Sequence, residues 1–141
     1  MPWYQELGLD SHGAQYLEPE LNVAMLLSDN TAIEWWTDLE RTAESFAQLS
    51  EADAQRLRVW AEDFREIVDD ILIPEAQRPP REPQERQHAL AATAAGRRLL
   101  EVATMSPRHF VEQEFTHPAI QAGLLFFNGL REVDLRAPGF G

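Results

Sequence analysis

Four histidines, at positions 12, 88, 109 and 117, are the side chains best suited to proton transfer or metal ligation in a chain without cysteine. The closest pair, His109 and His117, falls on two different predicted helices separated by a cap, and a metal there would need a third ligand such as Glu112 or Glu114. No recognised ligand spacing joins them, so each reads as a surface or helix-end histidine and no metal is proposed. The carboxylates Glu62, Asp63, Glu66, Asp69 and Asp70 invite an acid/base or cation-binding reading, since several share one helical face. They lie opposite an apolar stripe, and a solvated face accounts for them better. None of Ser11, Ser28, Ser45, Ser50 or Ser106 sits in a GxSxG context, which leaves nucleophilic catalysis without support. The glycines, at 8, 13, 96, 123, 129, 139 and 141, form neither the GxGxxG of a dinucleotide fold nor the GxxxxGK[ST] of a P-loop.

What remains is an aromatic and apolar surface: Trp35 and Trp36 in one segment, and Leu124, Leu125, Phe126, Phe127 and Leu130 in another. Residue type alone favours core packing for these side chains. Adjacent residues on a helix point about 100° apart, so one of Phe126 and Phe127 can pack inward while the other lines a groove or a partner surface. Trp35, Trp36, Leu125, Phe126 and Phe127 are therefore the candidate substrate-binding residues, for a long apolar substrate.

Several elements must position them. Residues 1–20 show no periodicity beyond a short helical turn near Tyr4 to Leu7. The runs Leu21–Leu27 and Thr31–Trp36 flank Ser28-Asp29-Asn30, whose short polar side chains tolerate a left-handed backbone, and this predicts a β-hairpin. Thr37-Asp38-Leu39-Glu40 matches a capping box led by Thr37, opening a helix over about 38–48 that packs through Leu39, Ala43 and Phe46. Ser50 caps a second helix with Leu57, Trp60, Phe64, Ile67, Val68 and Ile71 at three- and four-residue steps, ending before Pro74. The four prolines in residues 74–85 predict an extended internal loop. A long helix is expected over about 84–105, and Ser106-Pro107 and Thr116-His117-Pro118 announce two more, over about 107–115 and 118–131. From Ala137 to Gly141 no packed element is predicted, and the chain reads as breaking off inside a loop. The fold class is thus α+β, predominantly helical, with about five helices and one hairpin in a single, partial domain over residues 1–141.

A length of 141 residues with 44% hydrophobic composition suffices for an ordinary core. The net charge of -12, concentrated in the first half, repels phosphate backbones and argues against a nucleic-acid partner. The absence of cysteine excludes disulfides and thiolate chemistry, so any redox role needs a bound cofactor. No signal-peptide pattern opens the chain, and Ala119–Leu130, the longest apolar segment, is interrupted by Gln121 and Asn128. The expected location is cytoplasmic, with contact at a membrane surface compatible.

The order of segments carries a family resemblance: Leu7-Gly-Leu-Asp10, the hairpin, Asp38-Leu-Glu-Arg-Thr42, Ser50-Glu-Ala-Asp53, Ser106-Pro-Arg-His-Phe-Val111, and Phe115-Thr-His-Pro-Ala-Ile-Gln-Ala-Gly123. With its last stretch, FFNGLREVDLRAPGFG, the chain resembles the phytoene-desaturase-like FAD-dependent oxidoreductases, within the amine oxidase and carotenoid desaturase superfamily. The resemblance implies an inserted substrate domain that shelters an isoprenoid or similar apolar molecule while hydride passes to flavin. In that family a GxGxxG unit and a further part build the FAD site and both are absent here, so the chain reads as a truncated or split enzyme whose flavin is carried by a complementary chain, and which alone binds no cofactor. No residue here matches a family catalytic residue. The alternative is a freestanding helical module, monomeric or homo-oligomeric, that binds a protein or lipid through the Leu124–Leu130 face.

Overall fold

The computed structural model describes residues 2–15, 17–130 and 132–139. Helix α1 (Pro2–Glu6) and a 3-10 turn at Leu9–His12 precede an antiparallel hairpin of β1 (Leu21–Leu26) and β2 (Ala32–Trp36). Its loop is closed by Leu27 N–H donating to Thr31 O, and Asn30 takes the left-handed conformation with φ 65°. The Asp29 carboxylate accepts from the amide and hydroxyl of Thr31, which fixes the turn and holds that carboxyl below its usual range. Register runs from Val23 opposite Trp35 to Leu26 opposite Ala32, with an irregularity between Leu21 and Val23.

Helix α2 (Leu39–Ala47) closes the free edge of β2. Glu34 N–H donates to Ser45 Oγ and Trp36 N–H to Thr42 Oγ1, both at 2.8 Å, so hydroxyls one helical turn apart satisfy two strand donors two residues apart. This is why Thr42 and Ser45 are buried beside Ala43 and Phe46. The cap of α2 falls one residue later than the sequence pattern indicates: Asp38, not Thr37, accepts from Arg41 N–H, while the Thr37 hydroxyl donates to Pro19 O.

Helix α3 begins at Ser50, whose hydroxyl accepts from Asp53 N–H, and runs as Glu51–Ile67, a π-turn at Val68–Leu72 and a last turn at Ile73–Ala76. The expected stop before Pro74 is thereby corrected. Ile73 N–H reaches back to Val68 O, and the widened turn relieves the clash that a proline ring makes with the carbonyl four residues earlier. The proline-rich loop shrinks accordingly to residues 77–82, with Glu75 and Arg86 paired across its neck through three contacts of 2.8–3.1 Å.

The single helix expected over 84–105 is two, α4 (Pro83–Ala91) and α5 (Ala94–Ala103). Thr93 caps α5 by accepting from Gly96 N–H. The two helices meet so closely that a Cβ on Gly96 would lie 2.1 Å from the carbonyl oxygen of Leu90. Helices α6 (Pro107–Glu114) and α7 (Pro118–Gly129) follow as the Ser-Pro and His-Pro signals indicate, with Arg131 outside the described residues. The count among the described residues is therefore seven helices rather than about five, in the expected α+β, mostly helical class. The tail folds back, with Arg108 N–H donating to Leu135 O and Gly139 N–H to Met105 O; Phe140 and Gly141 lie outside the described residues.

Ile33, Phe46, Ala54, Trp60, Val102, Phe110, Phe115 and Ile120 form one core between the hairpin and the helices. Two buried carboxylates hold it. Asp53, in the first turn of α3, accepts from Thr116 N–H at 2.9 Å, Thr116 Oγ1 at 3.0 Å and His117 N–H at 2.7 Å, supplying α7 with the N-terminal acceptor that His117 does not provide. Glu114 accepts from the Trp60 indole N–H at 2.9 Å and from Arg56 Nε at 2.6 Å, and a second Arg56 nitrogen also contacts it. Arg98 stacks on the Trp60 ring at 4.1 Å and pairs with Asp63 and Glu101. Asp63 is thereby engaged, while Glu62, Glu66, Asp69 and Asp70 stay exposed as a solvated face.

Truncating Asp53 strands three donors at a buried site, so Asp53→Ala should lower unfolding free energy by about 3 kcal/mol or more, read from a denaturant midpoint. Burial pushes the Glu114 carboxyl up, but the hydrogen bonds from Trp60 and Arg56 and the Arg56 charge outweigh it and hold the group below its ordinary 4.5. A depressed folded-state value means that the stabilisation is complete above about that pH and is lost as pH falls through the folded value. Glu114→Gln should be less stable at neutral pH and show a shallower loss of melting temperature below pH 4.5 than the parent chain.

Candidate apolar binding site

A half-open cleft of about 390 Å³ lies between the hairpin and α7, lined by Val23, Ala24, Met25, Leu26, Trp35, Gly123, Phe126 and Phe127. That volume falls within the roughly 300–1,000 Å³ of ordinary small-molecule sites. Period-two alternation turns Ile33 and Trp35 of β2 toward the helices, where Trp35 meets Phe46 edge-on at 5.9 Å and Phe127 edge-on at 4.8 Å. Gly123 makes room for this indole: a Cβ there would stand 2.5 Å from Trp35 Cη2. Phe126, 56% exposed, forms the outer lip.

Three of the five residues singled out from the sequence thus come together. Trp36 does not join them, because the residue after Trp35 faces the opposite side of the strand, where its indole donates to Glu34 and lies 3.3 Å under the Arg41 guanidinium. Leu125 packs against the core instead of the cleft, as does Leu124. The β1 residues and Gly123 were missed. A glycine inside an otherwise apolar helix is a sequence signal for close approach, but its contact with Trp35 depends on tertiary packing.

Among the described residues no titratable side chain lines this cleft, so their arrangement suits excluding water and orienting an apolar molecule more than acid, base or nucleophilic chemistry. The Trp35 indole N–H is enclosed and meets no acceptor among the described residues. A second cleft of about 400 Å³ beside the proline-rich loop is lined by Asp70, Glu75, Arg78, Arg81 and Arg86 among others, and its Glu75–Arg86 pair already satisfies itself. The histidines do not converge: His12, His88 and His109 are exposed, and His117 is half-buried with Nδ1 unpartnered among the described residues. No group of three or more metal-ligating side chains occurs among the described residues.

The one strand-to-helix junction among the described residues does not fit a flavin pyrophosphate. Asp38 places a carboxylate on the α2 N-terminus, in the position an anion would take, and no glycine turn precedes it. No helix among the described residues is long and apolar enough to cross a membrane.

The fold is a mostly helical α+β unit with an apolar cleft between the hairpin and α7. No family model matches the chain, and no solved structure matches it. Among curated proteins, it is similar to one of the subunits of limonene dehydrogenase from Castellaniella defragrans, at 30% identity over 134 residues. The alignment takes in 94% of this chain and 24% of that protein, so the chain spans about a quarter of its relative's length.

Replacing Gly123 by alanine drives a methyl into an indole that Phe46 and Phe127 hold on either side. Gly123→Ala should cost about 1–3 kcal/mol of stability and weaken the binding of an uncharged apolar dye such as Nile red, followed by dye fluorescence at temperatures where the variant stays folded.

Proposed function

We propose that this chain is the substrate-sheltering portion of an oxidoreductase related to limonene dehydrogenase, and that it holds a terpene or other isoprenoid hydrocarbon in the Trp35–Phe127 cleft. The observation that carries the reading is the character of the cleft itself: an apolar cavity walled by aromatic side chains, with no group among the described residues able to perform acid–base or nucleophilic chemistry. Such a cavity suits a ligand without ionic groups whose reaction needs an external electron acceptor. Similarity along 94% of the chain to a protein named as part of a limonene dehydrogenase supports the same substrate class.

In this reading the acceptor is FAD, in keeping with the phytoene-desaturase-like resemblance, and a complementary polypeptide carries it. The Asp38-capped junction is unsuited to the pyrophosphate, so this chain contributes binding, orientation and exclusion of water.

Titrating the chain with limonene, followed by calorimetry, should show saturable binding that Phe126→Asp weakens about tenfold; Phe126 is exposed enough for this change to spare the fold. Titration with FAD should leave flavin fluorescence unquenched. Absence of hydrocarbon binding up to its solubility would overturn the cleft assignment, and tight FAD binding by this chain alone would overturn the division between the two polypeptides.

A further inference from the structure

The two edges of the hairpin are treated differently. Along β2 the outward amides of Glu34 and Trp36 end on Ser45 and Thr42. In an antiparallel ladder a residue whose N–H points away from its neighbour faces a partner whose N–H and C=O also point away. Ala24 lies opposite Glu34, so its amide and carbonyl point to the free side of β1, and those of Leu26, two residues on, do the same. No bond to these groups from another element is found among the described residues.

The edge is weakly guarded against pairing, its one irregularity lying between Leu21 and Val23 at the start of the strand. Residues Leu21–Leu26 contain no charge and no proline, and Leu26 is 80% exposed. The adjoining helix α7, Pro118–Gly129, is also uncharged. In a chain of net charge -12, two copies repel wherever charged faces meet, and this neutral patch is where they can approach.

We propose that β1 pairs antiparallel with β1 of a second copy, making a continuous four-stranded sheet in the order β2-β1-β1-β2. A two-fold axis at Met25 sets Ala24 opposite Leu26 of the partner subunit and Leu26 opposite Ala24 of the partner subunit, so every outward donor meets an outward acceptor. Met25 of the partner subunit then lies beside Met25 on the face that looks toward Phe126 and Phe127. The cleft gains its missing wall from the second copy, and the two clefts join into one apolar chamber beneath the sheet. This pairing stands on the edge geometry and does not depend on which ligand the cleft takes.

Sedimentation velocity over a concentration series should show a reversible dimer. Raising sodium chloride should tighten it, because screening relieves repulsion between like-charged copies, whereas a contact made through opposite charges would loosen. Ala24→Pro removes an amide used only between copies, and Leu26→Lys puts a charge on an exposed position; each should weaken the dimer about tenfold or more while circular dichroism and melting of the monomer stay as in the parent. A synthetic peptide of residues 19–28 should compete with dimerisation. A chain that stays monomeric at every concentration and salt overturns the proposal. So does a dimer that survives both substitutions with the fold intact, or a monomer that binds the peptide without ever pairing, which would assign the edge to a strand of another polypeptide.

Discussion

The contact between Asp53 and the start of α7 governs the rest of the molecule. It joins the first turn of the longest helix to the first turn of the helix that forms one wall of the cleft, and it does so at full burial with three donors on one carboxylate. A carboxylate taken from water is stable only when its lone pairs are filled, and orphaned amides at a helix start are stable only when they find an acceptor. Each side resolves the other's deficit, so α7 has one permitted position relative to the core. Gly123, Phe126 and Phe127 inherit their placement from that position, and Trp35 packs into what they leave.

Local chemistry made much of this readable from sequence. Asn30 and Asp29 mark the hairpin because a left-handed residue and a side chain that bonds two residues ahead are what a tight loop requires. Ser50 and Ser106 mark helix starts because each needs only a backbone amide three residues on. The misreadings lie partly where distant groups decide and partly where local geometry overrides residue type. Thr37 lost the cap to Asp38 because its hydroxyl found Pro19. Pro74 failed to end α3 because the π-turn before it absorbed the ring, and one helix became two at Thr93 where Gly96 allowed the sharp approach to Leu90. Trp36 looked equivalent to Trp35 by type, and strand alternation separated them.

The cleft and the charge distribution divide the surface into parts with distinct physical character. Acidic side chains on the outer face of α3 interact with water and with Arg98, while β1 and α7 carry no charge at all. In the proposed role an apolar ligand would meet a region where the protein's own field has few sources, so its binding would depend on contact area more than on salt or pH. Aromatic walls add specificity of shape, since the edge-to-face contact of Trp35 with Phe127 fixes the angle between two sides of the cavity.

The fork between Arg86 and Glu75 carries a further meaning for how this chain can vary. It ties the two ends of the segment 77–82 together independently of what lies between them, and that segment contains Pro79 and Pro80 but contributes nothing to the core cluster. Closing a longer loop over the same neck costs only a slowly growing entropy. Additional sequence inserted there leaves the hairpin, the buried carboxylates and the cleft where they are, and the neck of this loop is thus the point at which a fused label or a lineage-specific insertion disturbs the molecule least.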